Sequence, residues 1–345
     1  MTKYGVAIIG CGDMGTKHAT AWSERPDARV VVVCDPQEDR AEKLAIQFGA
    51  HRVESWQDAI AFDGVDIVSV CVPACDHRDV AIAAAACGRH ILCEKPMALT
   101  LEQADEMIAV ANANSVHLSV CHQYRSLSRF KTMKRLIDEG HLGEQLYIRF
   151  TEMREVRPKL AMHRIDMNGG PVHDMSGHLF DLGRYLTGCE PVSVSAVGTV
   201  FARGKERVSS VTDFGVDTAE IQVRFEGGHC LSVSINWGLP EGTPGHSHDL
   251  VHGPLGMLFT VDPNNPDRFL GDLSDTLSVA LKNANGTTLI ACEPDHDGPQ
   301  TCIEDLIGVI EGKRPSQFSG TEGRAALRII LAALESIKTR KTVLL

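Results

Sequence analysis

Val6-Ala7-Ile8-Ile9-Gly10-Cys11-Gly12-Asp13-Met14-Gly15 is the stretch that decides the fold. Four consecutive apolar residues are too few for a helix and suit a strand buried on both faces. A G-x-G-x-x-G turn follows at Gly10, Gly12 and Gly15, and a helix-compatible run from Thr16 to Glu24 closes before Pro26. In a strand–turn–helix unit each glycine has a task. Gly10 permits the tight turn, Gly12 lets a pyrophosphate approach the backbone, and Gly15 lets the helix lie close on the strand. The helix start, with Asp13 and Met14, offers free N–H groups and a positive dipole end to phosphates.

A second buried-type strand, Val30 to Cys34, ends at Asp35, twenty residues past Gly15. A carboxylate there accepts hydrogen bonds from the adenosine ribose hydroxyls and repels a 2′-phosphate. No arginine follows immediately, so NAD is favoured over NADP. Asp35 equally suits a cap for the helix that begins near Pro36. Helices are expected at Arg40 to Phe48, stopped by Gly49, and at Trp56 to Ala61. Asp66 to Val72 is a third strong strand, followed by Pro73, and His77 opens an alanine-rich helix, where it either contacts the cofactor or packs. His90 to Cys93 is a short strand that runs into Glu94-Lys95-Pro96. In open parallel sheets ligands sit beyond the carboxyl ends of strands, and Lys95 stands there. Thr100-Leu101-Glu102-Gln103 is a capping box for a helix to Ala113, and Val116 to Cys121 is the next strand. This alternation predicts a doubly wound parallel sheet, a Rossmann domain over 1–124.

The 345 residues exceed a single core, so a second domain over 125–345 is expected, its last helix able to pack back on the first. The 34 basic and 45 acidic residues leave a net charge of −11, which opposes nucleic-acid binding and suits a small-molecule ligand. No apolar run reaches membrane-spanning length, and the N-terminus lacks the basic start of a signal peptide. Eleven cysteines without a C-x-x-C pair read as buried free thiols of a cytoplasmic protein.

After Tyr124 the rhythm changes to an amphipathic helix, Leu127 to Glu139, and a strand, Gln145 to Glu152. The next informative stretch is Asn168-Gly169-Gly170-Pro171-Val172-His173-Asp174-Met175-Ser176-Gly177-His178-Leu179-Phe180-Asp181. Asp174 and His178 share a helix face if the helix begins near Asp174, so the acid can orient the imidazole or share a substrate hydroxyl with it. Ala219 to Phe225 and Leu231 to Trp237 alternate about Gly227-Gly228 as a hairpin with one buried face. His246, His248, Asp249 and His252 form a cluster in a Gly/Pro-containing loop, solvated or metal-binding.

Together, G-C-G-D-M-G at 10–15, Asp35, E-K-P at 94–96 and G-G-P-V-H-D-M-S-G-H-L-F-D at 169–181 resemble the Gfo/Idh/MocA family of sugar and inositol dehydrogenases. The resemblance implies an α/β protein with a Rossmann domain and a C-terminal domain built on an open, mostly antiparallel sheet, often packed into homodimers or homotetramers. By position it implies Lys95, Asp174 and His178 as the catalytic set. The cofactor would be held by Gly10, Gly12, Asp13, Met14, Gly15, Asp35, Pro73, His77, Glu94 and Lys95. Arg125, His163, Arg164, His173 and Asp174 are candidates for binding a sugar or polyol. Pro171 departs from a common glycine, and His173 directly precedes the catalytic Asp. No metal is expected. The rivals are a glycosidase or epimerase that oxidises transiently with tightly held NAD, a catalytically silent NAD or sugar sensor, and a metal hydrolase using His173, His246 and His248.

Overall fold

Residues 3–262, 277–293 and 298–345 are described by the structure, a computed structural model. The chain divides into two compact units. The first comprises Met1–Gln123 with Asp297–Leu327, and the second Tyr124–His296 with Arg328–Leu345. Residues 297–327, placed by sequence with the second domain, therefore belong to the first unit.

In the first unit the order is β1 (Tyr4–Ile9), α1 (Asp13–Ser23), β2 (Ala28–Cys34), α2 (Glu38–Phe48), β3 (His51–Val53), α3 (Trp56–Ala61), β4 (Ile67–Val70), α4 (Ala74–Ala86), β5 (His90–Cys93), α5 (Leu101–Ala113) and β6 (Leu118–Val120). The sheet order is β3-β2-β1-β4-β5-β6, every pair parallel. The order reverses between β1 and β4, so the glycine turn stands at the topological switch point. The strands read as unbroken apolar runs because both faces are covered. Thr100 caps α5 by accepting from the Gln103 amide, while the Gln103 side chain accepts from Leu99 N. The helix α10 (Gln300–Ile310) joins this core through Cys302, Ile303, Leu306 and Ile307, beside Tyr4, Val6, Ile8 and Trp22.

The second unit holds α6 (Ser128–Asp138), β7 (Tyr147–Glu155), α7 (Leu160–His163), α8 (Ile165–Asn168), α9 (Pro171–Thr187), β8 (Pro191–Thr199), β9 (Thr218–Phe225), β10 (Cys230–Leu239), β11 (His246–Gly253), β12 (Gly256–Val261), β13 (Ser278–Asn283) and β14 (Gly286–Ala291). The helix α11 (Gly320–Thr339) begins in the first unit's share of the chain, and β15 (Val343–Leu344) ends it. Nine strands form one sheet, ordered β14-β13-β12-β11-β7-β10-β9-β8-β15 and antiparallel except for β7 with β10. The β9–β10 hairpin buries Ala219, Ile221, Val223 and Phe225 with Leu231, Val233, Ile235 and Trp237. α9 lies over this face: a Cβ on Gly183 would stand 2.8 Å from Leu231 and 3.1 Å from Phe225.

One sequence expectation fails here. His246 to His252 is not a loop but the strand β11. Its alternation is disguised because two of its buried positions carry Ser247 and Asp249 instead of apolar side chains.

Candidate active site

The glycine turn has the geometry a dinucleotide cradle needs. Gly10 adopts φ +94°, and a Cβ there would meet the Cys71 carbonyl at 2.6 Å. A Cβ on Gly15 would stand 1.8 Å from the Gly10 carbonyl oxygen, so any side chain would push α1 off β1. At Gly12 the space is open, the nearest atom being Arg40 Nη1 at 3.9 Å. Gly12 N-caps α1, with exposed Asp13 and half-buried Met14 in its first turn. Asp35 is not a cap of α2: its Oδ2 accepts from Cys11 N at 2.7 Å and its Oδ1 from Gln37 N at 2.8 Å, which ties the end of β2 to the glycine turn. Arg40, on α2, was missed in the sequence because only folding brings it to the turn.

Glu94-Lys95-Pro96 follows β5, and the Lys95–Pro96 bond is cis. His77 lies inside α4, which starts at Ala74 after Pro73, not at the helix start as expected. It is buried, and its ring nitrogens lie 2.9 Å from Val72 O and 3.0 Å from Pro96 O. Burial holds its pKa below the ordinary imidazole value. A neutral imidazole has one N–H, so His77 donates to one of these two carbonyls, packed between the end of β4 and the turn that carries Lys95. Glu94 is buried as well, and its Oε1 lies 2.9 Å from His18 Nε2. Burial pushes the Glu94 carboxyl up, but the His18 hydrogen bond and the Lys95 charge leave it below its ordinary value. His18 Nδ1 lies 3.2 Å from Ser69 Oγ, which accepts from Trp22 Nε1 at 2.8 Å. One donor direction satisfies the chain: indole N–H to Ser69, Ser69 O–H to His18 Nδ1, and His18 Nε2–H to the Glu94 carboxylate. Glu94 is thus spent inside the unit, holding the backbone next to Lys95. His18 and Trp22, four apart on α1, were the available sequence signal for this network.

In the second unit, α9 starts at Pro171 after Gly170, which adopts φ +96°. A Cβ on Gly170 would stand 2.5 Å from Gly215 Cα, so the loop packs tightly before the helix. The proline suits the first helical position, and the early start puts Asp174, His178 and Asp181 on one face. All three are buried. Asp174 Oδ1 accepts from Asn168 Nδ2 at 2.9 Å, and His178 stacks on Tyr124 with ring centroids 4.2 Å apart.

Three sequence candidates for substrate contact already have partners within the protein. Arg125 forms a two-point pair with Asp181, 2.6 Å on each arm. His163 is buried with Nε2 on Arg157 O at 2.9 Å, and burial holds its pKa down. Arg164 is exposed and paired with Asp166. These partners, a remote carboxylate, a local carboxylate and a local backbone carbonyl, are not revealed by residue type alone. His173 is buried against Gly169. The metal rival's residues do not converge: among the described residues, the one group with ligand spacing is His18, Glu94 and Cys121.

Glu152, which in the sequence marks only the end of a strand, lies within β7. It is 4% exposed, and burial pushes its carboxyl up to about 7, with Arg154 and Arg129 lowering it and Asp249 adding to the rise. An acid whose folded pKa exceeds its unfolded value makes the native state bind more protons, so stability falls as pH rises between 4.5 and about 7. Glu152→Gln removes that dependence. Relative to the variant, the wild type is expected to lose about 3 kcal/mol between about pH 4 and about pH 8, checked by urea unfolding at both values. Parallel pH dependence of the two proteins would refute the assignment.

Comparison with known proteins follows the same outline. Residues 4–122 match the oxidoreductase family with an NAD-binding Rossmann fold, and residues 130–259 match the GFO/IDH/MocA C-terminal domain. The chain is 28% identical over 345 residues to myo-inositol 2-dehydrogenase of Thermotoga maritima, covering 98% of this chain and 97% of that protein. It is 32% identical over 338 residues to the rhizopine catabolism protein MocA of Rhizobium meliloti, covering 97% and 95%. Among solved structures, aldose-aldose oxidoreductase from Caulobacter crescentus, complexed with glycerol, matches with a TM-score of 0.84 at 24% identity over 99% and 100% of the two chains, a likeness of fold.

Proposed function

The chain belongs to the GFO/IDH/MocA family of NAD-binding oxidoreductases, and from that premise we propose that it transfers hydride between NAD and a secondary hydroxyl of a sugar or cyclitol. The observation that carries this reading is the buried Asp174–His178 pair on one face of α9, with Asn168 holding the acid and Tyr124 the imidazole ring. Bound NAD supplies the hydride acceptor. His178 takes the proton of the reacting hydroxyl, and Lys95 donates a hydrogen bond to that oxygen and favours its anionic form. Asp174 accepts from a neighbouring hydroxyl and orients the ring. The glycine turn and the α1 N-terminus suit a pyrophosphate, with the open backbone at Gly12 and Arg40 beside it. The name of one relative, myo-inositol 2-dehydrogenase, supports a cyclitol-like substrate.

The test is NADH formation against inositols, aldoses, uronates and glycosides, repeated with NADP. Turnover with NADH release supports the reading. Consumption of a glycoside without NADH would replace it with transient oxidation, and binding without consumption with a sensor.

NAD rather than NADP is part of the proposal, because Asp35 would repel a 2′-phosphate. Asp35→Asn keeps an acceptor for the Cys11 amide and removes the charge. With Arg40 still close to the turn, the variant is expected to gain roughly tenfold or more in kcat/KM with NADP relative to NAD. An unchanged cofactor ratio would show that Asp35 only braces the turn.

A homodimer or homotetramer is also proposed, through the outer face of the nine-stranded sheet. Tyr147, His252 and Met257 form a cross-strand row there, and Tyr147 and Met257 are 46% and 38% exposed. The eleven free cysteines fit a cytoplasmic setting, and among the described residues no helix is long and apolar enough to cross a membrane.

A further inference from the structure

The covered face of the nine-stranded sheet should be apolar, and along most of its length it is. Asp249, opposite Phe150, is an exception matched by Arg129, and one cross-strand row carries buried polar groups with no such match. Glu152 on β7 stands directly opposite Ser247 on β11 and Ile235 on β10, and Ile235 stands opposite Ala219 on β9. Side chains opposite one another in a sheet share a face and lie about 5 Å apart. Glu152 and Ser247 are therefore neighbours, 4% and 6% exposed. Glu152 Oε2 and Ser247 Oγ have no hydrogen-bond partner in the protein. Further along the same end, Trp237 is 4% exposed, and its Nε1 also has no partner. Arg154 links the three: its guanidinium lies 5.1 Å from the Trp237 ring centroid, and its Nε is 3.7 Å from Glu152 Oε2.

Leaving a buried polar atom unsatisfied costs about 1–3 kcal/mol, so folded chains hold few of them. Three at one end of the face, an acceptor and a hydroxyl side by side and an N–H donor joined to them through Arg154, call for an external group of complementary chemistry. Their position says which site they serve. Val172, at the start of α9, donates to Val216 O just before β9, and Gly183 rests on Leu231 and Phe225 at the far end of the β9–β10 hairpin. α9 thus runs along β9 from its start to its end. The Ala219–Ile235–Glu152–Ser247 row crosses near that start, under the half of the helix that carries Asp174 and His178. Tyr124, stacked on His178, is itself within electrostatic reach of Glu152, Arg154 and Asp249.

We propose that Glu152, Ser247 and Trp237 form a recognition subsite for a ring hydroxyl of the polyhydroxylated substrate, at a carbon other than the one oxidised. The inference rests on the reading of the second unit as the substrate-binding half. Above about pH 7, where Glu152 is ionised, a hydroxyl fits because it donates to the Glu152 carboxylate while accepting from the Trp237 indole. An ammonium cannot accept and would face Arg154, and a carboxylate cannot donate and would face Glu152. Asp249 is excluded from this set, since Arg129 Nε already donates to it at 3.1 Å.

The test uses the full chain with NAD present. Calorimetric titration with myo-inositol, scyllo-inositol, D-glucose and D-xylose, alongside steady-state kinetics, is run on wild type, Glu152→Gln, Ser247→Ala and Trp237→Phe. Glu152→Gln is expected to weaken Kd and raise KM about tenfold to a hundredfold for the polyol that binds, with kcat within about twofold. Monodeoxy analogues of that polyol complete the experiment. At one ring position, deoxygenation and Glu152→Gln should be non-additive, and at the others additive. Wild-type Kd in both Glu152→Gln and Trp237→Phe would overturn the subsite, even with turnover intact. Tighter binding of an aminocyclitol than of its hydroxyl parent would overturn the choice of hydroxyl. Polyol binding that is lost in Glu152→Gln, with no NADH formed by wild type, would leave the subsite standing and remove the hydride-transfer reading. Wild type that neither binds nor oxidises any of the four would remove both. Should Glu152→Gln fold poorly, Ser247→Ala and Trp237→Phe carry the same comparison.

Discussion

Lys95→Ala and His178→Ala are each expected to lower kcat by about a thousandfold or more, while NAD affinity stays within about threefold of wild type. A positioned general base is worth about a hundredfold to ten-thousandfold, and removing a cation from a developing oxyanion costs a similar factor. The expectation separates chemistry from scaffolding because the scaffolding is identifiable. The turn that carries Lys95 is fixed by its neighbours: Pro96 O lies against the buried His77 ring, and the Glu94 carboxylate accepts from His18. Truncating the lysine side chain leaves both contacts intact, so the melting temperature should barely move. Lys95→Arg keeps the charge but not the compact ammonium, and should recover only part of the rate. For His178→Ala, the lost ring also leaves Tyr124 without its stacking partner, so some stability goes with the rate. Added imidazole should restore part of kcat in that variant and none in Lys95→Ala. Turnover near the wild-type level in either variant would remove the acid–base assignment. Loss of NAD binding together with rate would instead place the residue in cofactor retention.

What could be read from residues alone was local. The strand, the glycine turn and the helix of 4–23 are set by contacts within that segment: Gly15 must be small because Gly10 O, five positions earlier, is its neighbour. Asp174 and His178 were legible for the same reason, since one helical turn joins them. The groups that organise the site over long separations were not. Glu94 meets His18, 76 positions earlier, and Arg125 meets Asp181, 56 later, and residue type does not say that a charged side chain has a partner. β11 resembles a loop in sequence because hydrophobic alternation is the signal for a half-buried strand, and this strand buries Ser247 and Asp249. The return of 297–327 to the first unit was hidden because an amphipathic helix such as α10 shows that it has an apolar face without showing which core that face meets. Periodicity thus failed where polar groups had been placed on a covered face, the same row from which the recognition subsite is inferred.

Arg125→Ala is expected to destabilise the protein by about 3–5 kcal/mol, measured by urea unfolding, because it strands a buried carboxylate. The Arg125 and Asp181 side chains are 10% and 1% exposed and meet through two bonds of 2.6 Å. A surface pair of the same residues would be worth less than about 1 kcal/mol, so burial decides the magnitude. The sequence suggests Arg125 as a substrate ligand, and the two roles make opposite predictions. A ligand arginine, when truncated, raises KM and leaves the unfolding midpoint in place. A structural one lowers the midpoint first, and affects turnover only through the displacement of α9, where Asp181 sits three residues beyond His178. Combining Arg125→Met with Asp181→Leu tests the mechanism of the loss. Replacing both charges by apolar groups of similar size removes the stranded carboxylate, and the double variant should regain most of the stability lost in Arg125→Ala. Arg125→Lys should fall between, since an ammonium cannot make both bonds to the carboxylate at once. Wild-type stability in Arg125→Ala, with a raised KM, would return the residue to the substrate.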